Sequence, residues 1–172
     1  TNGDGNATSP GVNQWYGLNF SATAGASSLA HTTVRYTGAG YWRAIALNSA
    51  NVTISDCTIS SGGYGGLNSD GPSRPTVTRC AFSDIQGQPA ITGVPFDAVP
   101  GFTDNTASNC SGGNFMRIDL TTLGASTVIN ANNCLNTALV YANHISVPSG
   151  IGLTLNPGVI LKANGVLQFN VA

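Results

Sequence analysis

Four six-residue segments repeat along the chain: Leu29-Ala-His-Thr-Thr-Val34, Ile54-Ser-Asp-Cys-Thr-Ile59, Val77-Thr-Arg-Cys-Ala-Phe82 and Phe102-Thr-Asp-Asn-Thr-Ala107. Each reads apolar, two variable, one small or amide, one small, apolar, and their starts lie 25, 23 and 25 residues apart. A second ladder, Ala44-Ile45, Gly66-Leu67, Ala90-Ile91, Phe115-Met116 and Ala138-Leu139, steps by 22, 24, 25 and 23 residues. Segments this short cannot bury an apolar face alone, so a shared period calls for stacking of equivalent units around one continuous core. Strand-length runs parted by Gly, Asn, Ser and Pro turns make that stack an all-β solenoid, a parallel β-helix. Helical repeats would need a 3.6-residue period and leucine-rich repeats a Leu-x-x-Leu-x-Leu frame, and neither is present. A β-sandwich gives no reason for two ladders to share a period. The length of 172 residues suits one domain, 1–172, of about six to seven coils. At roughly 4.8 Å per coil that is a rod on the order of 30 Å long.

Charge supports the same reading. Charged residues make up 8% of the chain, with no Glu and one Lys, Lys162, against roughly 25% in ordinary soluble domains. The best exposed helix formers are therefore missing. A net charge of −1 supplies neither a basic field for nucleic acid nor a polybasic patch for a membrane surface. No run approaches the roughly 20 apolar residues of a membrane span, so membrane insertion is not expected either. The opening Thr1-Asn2-Gly3-Asp4-Gly5 is unlike a signal peptide, and the alternating run Gly165–Ala172 stops without a cap. The chain is expected to be an excerpt of a longer one, with an uncapped final strand that is an edge able to associate end to end.

With Trp15-Tyr-Gly-Leu-Asn-Phe20, Leu29–Tyr36 and Asn51–Ile54 in view, the chain resembles the right-handed parallel β-helix repeat proteins of bacteria, the pectate-lyase-like superfold. The stretch Val147-Pro-Ser-Gly150 with Leu153–Lys162 resembles the segment that opens a new array in those proteins, so residues 147–172 are read as the start of one. The resemblance implies the right-handed, single-stranded form of the solenoid and an exported protein, extracellular or at the cell surface. It implies no particular activity, since the superfold hosts lyases, hydrolases, adhesins and scaffolds.

Four groups of residues are candidates for chemistry. The first is a column, His31, Asp56, Arg79 and Asp104, on successive coils. Asp56 and Asp104 would flank Arg79 at about 5 Å, as an ion-pair ladder or as a surface where Arg79 neutralises a uronate while a carboxylate acts as acid, base or metal ligand. Next to it, Cys57 and Cys80 share an inward column with Thr32 and Asn105, and Cys110 and Cys134 are expected to form a second. These thiols either pack free or form disulfides between coils. A third group is aromatic: Trp15, Tyr41, Trp42 and Tyr64 lie near turns, where such rings stack on sugars or cover an open end of the coil stack. Last, Asn2, Asp4 and Asn6 look like the tail of a calcium loop that lacks its first Asp; calcium is the one cofactor indicated.

Ser and Thr also align, as Thr53 with Thr76, Ser55 with Thr78 and Thr103, and Thr33 with Thr58 and Thr106 across Ala81. Regular hydroxyl arrays on flat β-helices resemble the ice-binding design. Arg117 and Asp119 face outward on one strand, but the acidic Asp119 stands where the Arg-x-Lys element of β-helix hydrolases needs a positively charged side chain. Neither His31 nor His144 has a nucleophile partner in a recognisable elbow. The function expected is a non-catalytic extracellular scaffold or glycan-contacting module, its partner a polysaccharide or cell-surface glycan. The alternatives are a polysaccharide lyase acting on acidic polysaccharide and an ice-binding protein.

Overall fold

The computed structural model describes residues 7–137, 139–141, 144–163 and 168–171. Its strands are three to five residues long with one exception of two, and all their pairings are parallel. One long sheet runs the length of the stack through Leu18–Phe20, Ile45–Asn48, Leu67–Asp70, Ile91–Pro95, Met116–Leu120, Leu139–Tyr141 and Leu161–Ala163. Its seven strands set seven coils. A second sheet stacks Ser28–Ala30, Thr53–Ser55, Thr76–Thr78 and Phe102–Thr103. The third stacks Thr33–Arg35, Thr58–Ser60, Ala81–Ser83 and Thr106–Ser108. Register follows both ladders: Ile45 pairs with Leu67 and Leu67 with Ile91, while Ile54 lies over Val77 and Ile59 over Phe82.

Strands this short alternate outward, inward, outward, so each offers one apolar side chain to the core on the second and third sheets. Those inward columns are Leu29, Ile54, Val77, Phe102 and Val34, Ile59, Phe82, Ala107, and all but Leu29 are buried. The coil bends between the two sheets at His31, Asp56, Arg79 and Asp104, whose φ values of 49, 54, 52 and 56° are left-handed. A second left-handed column, Tyr36, Ser61, Asp84 and Asn109, ends each strand of the third sheet at φ 64, 52, 54 and 53°. Short polar side chains tolerate this region best, which favours Asp, Asn and Ser at most of these sites.

The residue after the first corner closes it. Thr32 Oγ1 and the thiols of Cys57 and Cys80 each donate to the carbonyl two residues back, at 2.8, 3.1 and 3.3 Å. Asn105 takes the same place on the fourth coil, accepting the Cys80 N–H at 2.9 Å and donating to the Val77 carbonyl at 2.9 Å. All four thiols are free and buried. Cys110 and Cys134 do not share a column. Cys110 follows the second corner and donates to the Ser108 carbonyl. Cys134 follows the 3-10 turn Ala131–Asn133, whose Asn132 carbonyl accepts the N–H of Asp104 at the first corner.

That turn marks a handover between sheets. Asn133 donates its amide to the Phe102 carbonyl, and Asn136 bonds the backbone of Ala107 on both sides, so side chains replace a next pair of strands. The later coil sides are new two-stranded sheets, Thr127–Ile129 with Leu153–Leu155 and His144–Val147 with Gln168–Val171.

Burial pushes the Cys80 thiol up to about 11 from an ordinary 9.0. Between those values the unfolded chain releases this proton while the folded chain keeps it, so stability falls as pH rises from about 9 to about 11. Urea unfolding at pH 8, 9 and 10 is expected to show that decline, and Cys80→Ala is expected to flatten it.

Candidate functional site

The segment Ala39–Arg43 enters the long sheet through a glycine turn, with Gly38 and Gly40 at φ 108 and 62°. This turn throws Tyr41 outward, 78% exposed, and Trp42 beside it, 44% exposed. The Tyr41 ring meets Tyr64 of the next coil edge to face at 5.3 Å, and Trp42 meets Tyr16 at 6.1 Å in the same manner. Arg43 lies over the Tyr64 ring at 4.6 Å, a cation–π arrangement. Space for it comes from Gly65 at φ 95°, where a Cβ would stand 2.6 Å from Arg43 Cδ.

Tyr41, Trp42 and Arg43 wall a recess of about 230 Å³ floored by Ala46 and Asn68. A second recess of about 260 Å³ continues from Asn68 to Asp70, Gly93 and Asp119. It is opened by a register shift around Gly93, which lies at φ 77° with its missing Cβ only 2.8 Å from Asn68 Oδ1. A third, of about 380 Å³, lies on the other side of Tyr41 against Asn13, Gly38 and Gly63. Tyr41 and Asn68 are thus shared walls, and the three hollows form one track that runs from the turns before the long sheet onto its outer face.

Polar contacts brace the track from the side. Gln88 Nε2 donates to the Tyr64 hydroxyl at 3.3 Å, and Arg117 Nη1 donates to Gln88 Oε1 at 3.0 Å. Arg117 also holds Asp119 through two bonds of 2.7 and 3.0 Å, and this contact raises its own pKa further. Asp70 accepts the Ser49 N–H, and the Thr92 hydroxyl donates to Asn68.

The other candidates lie elsewhere. Asp56 and Arg79 form a bidentate pair with both bonds at 2.7 Å at the first corner, the Arg79 side chain exposed and that of Asp56 partly so. Arg79 holds the Asp56 carboxyl below its usual range, first through these hydrogen bonds. Asp104 does not complete the ladder: its carboxylate accepts from the Asn132 amide at 3.3 Å. Trp15 is not brought to the recess. Its indole donates to the Arg35 carbonyl at 2.8 Å while its backbone bridges Thr37, closing the first coil. The calcium residues Asn2, Asp4 and Asn6 lie outside the described residues. Hydroxyl columns form in the expected register, joined by Ser60, Ser83 and Ser108 in a fourth, but the charged first corner separates them into two pairs.

Arg43, Asn68, Asp70 and Gln88 carry no motif. A signal for the floor did exist, because the residue after each inward member of the long-sheet ladder must point out, which selects Ala46, Asn68, Thr92 and Arg117.

A parallel solenoid with this register matches one family model, described as a right handed beta helix region, over residues 43–168. The chain belongs to that family. The matched span starts at Arg43 and carries the long sheet through its later coils, so the recess walls straddle its beginning. No curated protein and no solved structure matches the chain.

Proposed function

We propose that this right-handed β-helix is a non-catalytic extracellular scaffold that contacts a glycan along the Tyr41–Asn68 track. The observation that carries the reading is Tyr41, an almost fully exposed ring fixed edge-on against Tyr64 at the mouth of an amide-floored recess. An exposed aromatic held in place loses little freedom on stacking, and sugar rings offer it their C–H faces. Asn68 and Asp70 supply donors and acceptors for sugar hydroxyls on the floor, with Asn68 held from beneath by the buried Thr92 hydroxyl. Linked hollows suit a chain of several sugar units more than a compact small molecule. A surface poor in charge and rich in Ser, Thr and Asn fits an exported coil stack.

A scaffold reading is supported by the state of the charged groups. Asp56, Asp97 and Asp119 are each engaged by an arginine, and a carboxylate so held is a poor general acid or base.

Binding to a glycan array, followed by titration calorimetry on the best oligosaccharide, tests this. Tyr41→Ala and Trp42→Ala are each expected to weaken binding about tenfold without change in thermal unfolding. An array on which the native protein binds nothing would remove the proposal.

A further inference from the structure

The chain has five arginines, and three of them hold carboxylates: Arg74 with Asp97, Arg79 with Asp56, and Arg117 with Asp119. Arg35 is exposed and lies against the Tyr36 ring. Arg43 is different. It is partly buried, has no carboxylate partner among the described residues, and its Nε is sealed from solvent with no hydrogen-bond partner. Its bond to the backbone is long, Nη1 to the Tyr41 carbonyl at 3.5 Å. Yet its side chain is held firmly, between the Tyr64 face and the gap left by Gly65.

Partial burial of a cation without a counter-charge is unfavourable, and the cost is offset when an anion arrives. The pKa of Arg43 is lowered, first by burial; Tyr64 opposes this, the charge of Arg117 adds to it and the more weakly felt Asp119 opposes it. Arg117 is itself bonded to Asp119, so the guanidinium of the track that no carboxylate occupies is that of Arg43. A guanidinium fork matches a planar carboxylate through two parallel bonds, and a hydroxyl cannot return that geometry. We infer that Arg43 is the receptor for the carboxylate of an acidic sugar unit seated in the recess between Tyr41 and Asn68. The inference rests on the glycan reading and adds to it the class of sugar.

The test uses hexasaccharides of glucuronic, galacturonic and mannuronic acid, each as the free acid and as its methyl ester, with neutral hexasaccharides beside them. Calorimetry on the native protein is expected to show at least one free acid binding tenfold or more tighter than its ester. Arg43→Gln should bring that ratio to about one and Arg43→Lys should recover it only in part. Arg79→Gln, on another face, should leave it unchanged. Equal binding of acid and ester by the native protein, or a ratio that survives in Arg43→Gln, overturns the assignment of Arg43 while leaving the glycan reading standing. Binding of none of these sugars removes both. Near-ultraviolet circular dichroism of each variant confirms that the aromatic packing is intact.

Discussion

Asp97→Ala is expected to lower the unfolding free energy by about 3 kcal/mol, a large loss for a single polar side chain on the surface of a solenoid. Asp97 lies in the 3-10 segment Phe96–Gly101 with its side chain only 4% exposed. Arg74 Nη2 stands 2.8 Å from Oδ1, off the hydrogen-bonding direction, and donates to Oδ2 at 3.1 Å. The N–H of Gly124 donates to the same Oδ2 at 3.0 Å. One carboxylate therefore ties the turn after the third strand of the long sheet to the segments after the fourth and fifth. Its removal leaves a guanidinium about one third exposed and a backbone donor without their acceptor, and stranded groups cost more than the pair itself contributes. Asp97→Asn, which keeps the shape and one acceptor, should lose less. Arg79→Ala removes a pair of the same type that is far more exposed and should change unfolding only slightly, because solvent and ions replace most of the interaction. Urea denaturation of the three variants checks the order, and a loss from Asp97→Ala no greater than that from Arg79→Ala would show that water substitutes for the buried carboxylate.

The contrast between these two pairs bears on what a repeat can reveal. Arg79 and Asp56 were legible because both occupy the same slot of the six-residue segment, and slots become neighbours once coils stack. Arg74 and Asp97 occupy no repeated slot, so nothing short of the fold pairs them. Asp104 shows the limit from the other side. Its slot is right, but its partner Asn132 comes from a 3-10 turn built on an Asn130 capping box with Asn133, and that turn has no strand pattern to align. The same cause misplaced Cys134. Around the recess, the aromatics announce themselves, whereas the interest of Arg43 lies in having no acid bonded to it. Absence of a partner depends on every coil at once and leaves no mark on a single segment.

Phe82→Ala is expected to be the most damaging change of all, at about 3–5 kcal/mol. Phe82 is 1% exposed in the column Val34, Ile59, Phe82, Ala107, where its neighbour Ala107 is too small to fill the space it would leave. Its ring reaches across the coil to the long sheet, where a Cβ on Gly66 would stand 2.8 Å from Cδ1. Gly66 lies immediately before Leu67 and Asn68, so the floor of the recess rests on this ring. Coils of a solenoid touch only their neighbours, which confines the damage. Hydrogen exchange should therefore quicken at Ile59, Phe82, Ala107 and Leu67 while Ile145, in the later sheet His144–Val147, keeps its protection. The glycan affinity of any folded fraction should fall with it, since Asn68 loses its support although no contact residue is altered. Phe169→Ala, at a ring already 45% exposed, should produce neither effect. Uniform loss of protection over all coils would instead mean that the stack unfolds as one unit, and that the recess floor is no more dependent on Phe82 than the far end of the rod is.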